Sequence, residues 1–269
     1  MELLPAQVGN TAMIFIGLLL AVLIGLSIGL LGGGGAILAV PIFTYVLGFG
    51  AKEAIASSLM VVGATSLFGM VGHWREGNVQ LRVALLFGVF AMAGAYLGAQ
   101  LATFFSSAAQ LALFAAVMLV SAFFMFRDNQ SNEDEEDEPG DYSFARKTFV
   151  LLAVVGVAIG VLTGLVGVGG GFLIVPALVL LGNVPVKQAI GTSVLVIAMN
   201  SASGFVGYLG QVEIQWGLLA LFIVLAIAGS FAGTYLVRFV PSDKLQKVFA
   251  AFLVLMAIFI FYQNLGTFF

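Results

Sequence analysis

Along most of this chain, polar residues do not alternate with apolar ones; they interrupt long apolar runs. Charges and Gly/Pro breaks leave ten apolar segments, at about 11–31, 35–49, 54–74, 83–104, 108–126, 148–166, 171–182, 188–208, 216–237 and 248–266. A helix needs about 20 apolar residues to cross the hydrocarbon core of a bilayer. Segments 35–49 and 171–182 fall short of that; each follows a glycine cluster and carries a proline, Pro41 and Pro176, in its first half. Strands of a membrane barrel would alternate polar and apolar positions. These segments are apolar all round, which predicts an all-α integral membrane protein of about ten transmembrane or hairpin segments.

One stretch breaks the pattern. Residues 127–147 hold Asp128, Glu133, Asp134, Glu135, Glu136, Asp137, Glu138 and Asp141, most of the 13 acids of the chain. Such a stretch cannot bury a core. It reads as a solvated tether, with a regulatory segment as the alternative. It divides the chain into a first membrane half, 1–126, the acidic linker, 127–147, and a second membrane half, 148–269.

The two halves are a repeat, the first thing to seek in a chain of this kind. Shifted along the sequence, Gly25, Gly29, Gly32, Gly34 and Gly35 fall on Gly160, Gly164, Gly167, Gly169 and Gly170. In the same register Pro41 falls on Pro176, Lys52 on Lys187, Ser58 on Ser193, Ser66 on Ser201, and Gly94 and Gly98 on Gly229 and Gly233. Five segments per half is an odd number, so the second half should be inverted relative to the first.

The basic residues test this through their bias to the cytoplasmic side. With the N-terminus outside and ten passes, Arg75, Arg82, Arg127, Arg146, Lys147, Lys187, Arg238, Lys244 and Lys247 lie inside, and Lys52 alone lies outside. If the two short segments are re-entrant, the bias vanishes. The inverted arrangement is therefore expected, with the linker cytoplasmic. The depth reached by the two hairpin tips, Gly32–Gly35 and Gly167–Gly171, stays open.

Composition narrows the chemistry. The 269 residues are 61% hydrophobic and 9% charged, with no cysteine and one histidine. Disulfides, thiolate sites and multi-histidine metal sites are excluded. Met1-Glu2-Leu3-Leu4-Pro5 has no Lys or Arg and no cleavage site follows, so no cleavable signal peptide is read. There is no GxxxxGK[ST] run, no GxGxxG after a strand and no HExxH, so neither an ATP-driven motor nor an enzyme is expected. No cofactor and no metal are called for.

The run Gly32-Gly33-Gly34-Gly35-Ala36-Ile37-Leu38-Ala39-Val40-Pro41 recurs as Gly167-Val168-Gly169-Gly170-Gly171-Phe172-Leu173-Ile174-Val175-Pro176, followed by Lys187-Gln188-Ala189-Ile190-Gly191-Thr192-Ser193. This doubled motif resembles the TauE/SafE family of membrane transporters, the sulfite exporter-like group, over about residues 12 to 266. The first copy departs from the second at Gly33, at Ala36 and at Ser57-Ser58. The resemblance implies secondary transport, with export of small sulfur-containing anions such as sulfite or organosulfonates across a bacterial cytoplasmic membrane. A non-transporting subunit of a partner complex and a passive anion channel remain alternatives.

The residues point to an anion site on their own account. A glycine-rich tip that opens a helix exposes unpaired N–H groups and the positive end of the helix dipole. Paired Gly/Pro-interrupted segments in the two halves of a transporter point to its substrate site. The candidates are Gly34, Gly35 and Ala36 in the first tip and Gly169, Gly170 and Gly171 in the second. Close helix packing is the simpler alternative. The third and eighth segments add intramembrane polar faces, with Ser58, Thr65 and Ser66 on one and Thr192, Ser193, Asn200 and Ser201 on the other. Hydrogen bonds between helices, or back to a residue's own helix, would explain them equally. Thr65 and Asn200, repeat partners near mid-segment, are expected to face each other across one central cavity. Lys52, His73, Arg75 and Lys187 are candidate mouth residues; snorkelling and interfacial anchoring account for them as well. The expected partners are a small anionic substrate and membrane lipid, with a homodimer left open and no nucleic acid.

Overall fold

The structure is a computed structural model and describes residues 4–127, 146–236, 250–251 and 253–263. The acidic stretch 128–145 and the basic residues Arg238, Lys244 and Lys247 lie outside the described residues. In order, the elements are α1 (Leu4–Leu31), a 3-10 segment (Gly32–Leu38), a three-residue α2 (Ala39–Pro41) running into a π-helical turn (Ile42–Val46), α3 (Ala51–Arg75), α4 (Leu81–Leu101), a 3-10 turn (Ala102–Phe104), α5 (Ser107–Arg127), α6 (Arg146–Val166), α7 (Gly171–Gly182), α8 (Val186–Tyr208) and α9 (Trp216–Leu236). A last apolar helix covers Leu253–Gln263. Among the described residues the only extended pairing is an isolated bridge between Leu209 and Val212.

Helices Ala51–Arg75, Leu81–Phe104, Phe149–Val166, Lys187–Tyr208 and Trp216–Leu236 are long and apolar enough to cross a membrane, and five shorter apolar helices accompany them. In lipid every backbone N–H and C=O must be satisfied within the protein, which is why apolar segments of this length become helices. Their outer faces are apolar too: Leu19, Val89, Phe123, Val154 and Tyr262 stand exposed. Ser57, Ser58, Thr65, Ser66, Thr192, Ser193, Asn200 and Ser201 lie inside. Apolar outside and polar inside marks a multi-pass membrane protein.

Glycines set the helix contacts. A Cβ placed on Gly25 or Gly29 of α1 would overlap the Ala226 or Ser230 carbonyl of α9, and one on Gly160 or Gly164 of α6 would overlap the Ala91 or Ala95 carbonyl of α4. From the other side, Gly229 and Gly233 of α9 abut the Val22 and Leu26 carbonyls, as Gly94 and Gly98 of α4 abut those of Val157 and Val161. Each α1–α9 contact is thus the image of an α4–α6 contact under the register of the sequence repeat. Backbones this close are the usual consequence of small residues at membrane helix interfaces.

Repeat mates α3 and α8 pack against each other and run in opposite directions. Gly63 meets Ser201, and Leu59, one turn earlier, meets Gly204. The loop after α3 reaches the start of α8: the Gln80 N–H donates to Thr192 Oγ1 (2.9 Å) and Gln80 Nε2 to Gln188 Oε1 (2.9 Å). The loop after α8 reaches the start of α3, where Gln215 Nε2 donates to Glu53 Oε1 (3.3 Å). Gln80 and Gln188 are the repeat mates of Gln215 and Glu53, so both ends of the molecule close with the same contact in image form.

Candidate functional site

The second glycine cluster is an unwound turn. α6 ends at Val166, and Gly167, Gly169 and Gly170 adopt φ of +80°, +71° and +77°. This left-handed region strains any residue with a Cβ. Gly170 caps α7, and its carbonyl accepts from the N–H groups of Leu173 (2.9 Å) and Ile174 (3.0 Å). The N–H groups ahead of these have no partner inside α7. With 12 residues, α7 is about 18 Å long, roughly three-fifths of what a bilayer core requires. Its far end returns beside the start of α6, with Gly182 against Leu152.

The tip lies level with the middles of α3 and α8. A Cβ on Gly169 would lie 2.8 Å from Val62 Cγ1, 3.1 Å from Ile197 Cγ2 and 3.4 Å from Ser201 Oγ. Val62 and Ile197 are near the middles of α3 and α8. One residue cluster therefore joins the unwound tip to the polar faces of both central helices.

The buried hydroxyls there fall into two groups. Ser58 Oγ lies 2.8 Å from the Ile55 carbonyl and 2.7 Å from the Gly167 carbonyl, both acceptors for it. Its repeat mate Ser193 donates to the Ile190 carbonyl at 2.7 Å, and Thr192 accepts the Gln80 N–H. These three have structural partners. Thr65, Ser66, Asn200 and Ser201 are 0% exposed, yet Thr65 Oγ1, Ser66 Oγ, Ser201 Oγ and both Asn200 side-chain atoms have no hydrogen-bond partner. Serine and threonine in helices ordinarily bond back to their own backbone, as Ser58, Ser193 and Thr234 do. A buried polar group without a partner costs about 1–3 kcal/mol. Five such atoms lie on the two facing helices α3 and α8.

The family model "Sulfite exporter TauE/SafE" matches residues 17–260. The chain belongs to this family. Within it, a "Probable membrane transporter protein" of Xylella fastidiosa is 31% identical over 245 residues, covering 90% of this chain and 92% of the relative. The "Probable membrane transporter protein YdhB" of Bacillus subtilis is 28% identical, covering 86% of this chain and 93% of the relative. An Arabidopsis thaliana "Sulfite exporter TauE/SafE family protein 1" is 33% identical over 110 residues, 41% of this chain and 24% of the plant protein. No solved structure matches the chain.

In this TauE/SafE chain the first glycine cluster is built differently from the second. Gly34, Gly35 and Ala36 belong to the 3-10 segment that continues α1. Gly35 presses on the backbone of Ser27 and Ile28, and Ala36 is buried. Its image contact in the second half sets Gly170 against Thr163, whose Oγ1 would lie 2.6 Å from a Cβ at Gly170 and has no partner.

The central cavity expected between Thr65 and Asn200 is closed: all four unpartnered side chains are fully buried. Lys52 and Lys187 stand at opposite ends of the antiparallel α3–α8 pair, Lys52 partly exposed and Lys187 exposed. His73 is partly buried and Arg75 exposed at the end of α3. None of these four reaches the buried cluster.

The sequence reading missed Thr163, Ser230 and the pair Gln110–Tyr208. The Tyr208 hydroxyl donates to the Gly164 carbonyl at 2.9 Å, and Gln110 Nε2 to that of Leu165 at 3.3 Å, so α5 and α8 cap the end of α6. The repeat mates of Thr163 and Ser230 are Ile28 and Ala95, so a search for matching polar positions passes over both.

Proposed function

We propose that this protein is a secondary transporter that exports small sulfur-containing anions, sulfite or organosulfonates, across the bacterial cytoplasmic membrane. In this reading its two five-segment halves are inverted repeats, both termini face outside and the linker 127–147 is cytoplasmic. The observation that carries the site is the set of five buried, unpartnered polar atoms on Thr65, Ser66, Asn200 and Ser201, beside the unwound tip at Gly169. An oxyanion inserted there would accept hydrogen bonds from three hydroxyls and the Asn200 amide. The N–H groups and dipole of α7 would add positive potential. No cofactor enters and no bond is made or broken.

The packed arrangement is then an occluded one, with Thr65, Ser66, Asn200 and Ser201 closed off from both ends. Sites of this kind lie between discontinuous helices at mid-membrane, where one repeat rocks against the other. The image contacts Gln80–Gln188 and Gln215–Glu53 would close the two ends in turn. The antiparallel course of α3 and α8 and the nine-to-one distribution of basic residues support the inverted arrangement. The family's name supports the choice of anion.

The test is a thermal-shift series on the purified protein with sulfite, short sulfonates, sulfate and carboxylates. Ligand that binds only the folded state raises the melting temperature in proportion to RT ln(1 + [L]/Kd). Stabilisation by sulfite or a sulfonate and not by carboxylates is expected. Stabilisation by carboxylates alone would refute the substrate class.

A further inference from the structure

A seam of small residues leads away from the buried cluster along α3. Thr65, Gly69 and Gly72 lie on one face at helical spacing. A Cβ on Gly69 would lie 3.2 Å from Ser230 Oγ of α9, and one on Gly72 would lie 3.7 Å from Thr234 Cγ2. Ser230 is 1% exposed and its hydroxyl has no partner; the Ser230 carbonyl accepts from Thr234 Oγ1 at 3.0 Å. Thr65 Oγ1, also unpartnered, sits one turn back. The seam ends at His73 and Arg75, on the side where the α3–α4 loop meets the start of α8 and Lys187.

The repeat supplies an internal control. The image seam lies between α8 and α4, where Gly204 meets Ala95 and Gly207 meets Ala99. Ala95 and Ala99 take the places of Ser230 and Thr234 in the sequence register. The same backbone crossing therefore meets the Ser230 hydroxyl and the Thr234 methyl in one direction and two alanine methyl groups in the other. A Cβ on Gly207 would lie 2.6 Å from the Ala99 Cβ, against 3.7 Å at Gly72, so the alanine seam is the tighter at its mouth; deeper in, the order reverses, 3.6 Å at Gly204 against 3.2 Å at Gly69. Packing would be served by alanine on both sides, as the image shows, so the unpartnered Ser230 hydroxyl needs another reason.

We propose that the α3–α9 seam, lined by Gly69, Gly72, Ser230 and Thr234, is the passage by which the anion passes between the buried cluster and the end of the protein carrying Arg75. The charge distribution makes that end cytoplasmic. The proposal rests on the substrate-site reading above. A desolvated oxyanion leaving the cytoplasmic mouth meets Arg75, then the unpartnered Ser230 hydroxyl, then the Thr65 hydroxyl; the alanine seam has no hydroxyl at the place of Ser230. Inequality of the two seams gives the molecule an easier loading side, which suits export.

Two arms test the passage, and only one depends on the substrate. The chain has no cysteine, so Ser230→Cys and Ala95→Cys each introduce one thiol. Only the thiolate reacts with an anionic methanethiosulfonate, and a thiol packed in lipid or protein does not ionise. Inside-out vesicles should label Ser230→Cys, right-side-out vesicles should not, and Ala95→Cys should stay unlabelled in both. An unlabelled Ser230→Cys in inside-out vesicles, or equal labelling of Ala95→Cys, overturns the passage.

In the second arm, Ser230→Ala with Thr234→Ala gives the seam the composition that its image already tolerates. In liposomes loaded with sulfite, the initial rate from the Arg75 side should fall several-fold while sulfite affinity stays within twofold of the parent. An unchanged rate, or a loss of affinity as large as the loss of rate, overturns it. Asn200→Leu separates the two readings: if that variant binds sulfite as tightly as the parent, the site reading fails, whatever Ser230→Cys reports.

Discussion

Consider the variant Gly160→Ala and its repeat mate Gly25→Ala. A Cβ at Gly160 would overlap the Ala91 carbonyl of α4, and one at Gly25 would overlap the Ala226 carbonyl of α9. The obstacle in both is helix backbone, which cannot swing aside as a side chain can, so the helices must part. Overpacking of this kind costs about 1–3 kcal/mol. The better helix propensity of alanine returns at most about 1 kcal/mol. A net loss of about 1–2 kcal/mol lowers the melting temperature by roughly 2–8 °C in a chain of this size. Gly217→Ala is the control, because nothing lies within 4 Å of its Cβ position; it should leave the melting temperature unchanged or raise it slightly. Fluorescence-detected melting of the detergent-solubilised protein measures all three. Because the α1–α9 and α4–α6 contacts are images, the two variants should fall by similar amounts. Loss in one and none in the other would refute the equivalence of the two helix pairs, and neutrality in both would refute the backbone contact itself.

Three further outcomes are expected. Gly34→Leu and Gly170→Leu should each abolish transport with membrane insertion intact, Gly170 also because φ of +77° strains a side chain; undiminished sulfite binding in both would return the tips to a packing role. Thr192→Val leaves the part-buried Gln80 N–H without its acceptor, so the melting temperature should fall by a few degrees, about 1 kcal/mol, and no change would show that this contact closes nothing. A cysteine introduced in the linker 127–147 should resist an impermeant label in intact cells and react after permeabilisation; labelling in intact cells would sink the inverted topology.

The helical architecture could be read from the sequence because ten apolar runs in lipid have no alternative to helix, and their limits match the helix ends to within a few residues in most places. The repeat register was also legible, and the paired glycine contacts of α1–α9 and α4–α6 follow it. The division of labour among the buried hydroxyls was not. Ser58, Thr65, Ser193 and Ser201 are alike in sequence, and only the positions of the Ile55, Gly167 and Ile190 carbonyls show that Ser58 and Ser193 have partners while Thr65 and Ser201 have none. The difference between the tips was hidden for another reason. Consecutive glycines have no side-chain preference of their own, so neighbouring packing decides whether the backbone winds as 3-10, as at Gly32–Leu38, or turns left-handed, as at Gly167–Gly170. Ser230 escaped because its repeat mate is alanine.

The central claim is that Thr65, Ser66, Asn200 and Ser201 lack partners because the substrate is their partner. The most direct measurement is a pair of readings on Asn200→Leu: the melting temperature without ligand and the affinity for sulfite. Leucine keeps the branched shape and removes two buried unpaired atoms, each of which costs about 1–3 kcal/mol while the site is empty. The account predicts that the empty variant melts at or above the parent temperature. It also predicts that sulfite affinity falls by about 1–3 kcal/mol, roughly five- to 150-fold, with the loss of two amide donors. A variant that melts well below the parent and binds sulfite as tightly would contradict it, since Asn200 would then be holding helices together.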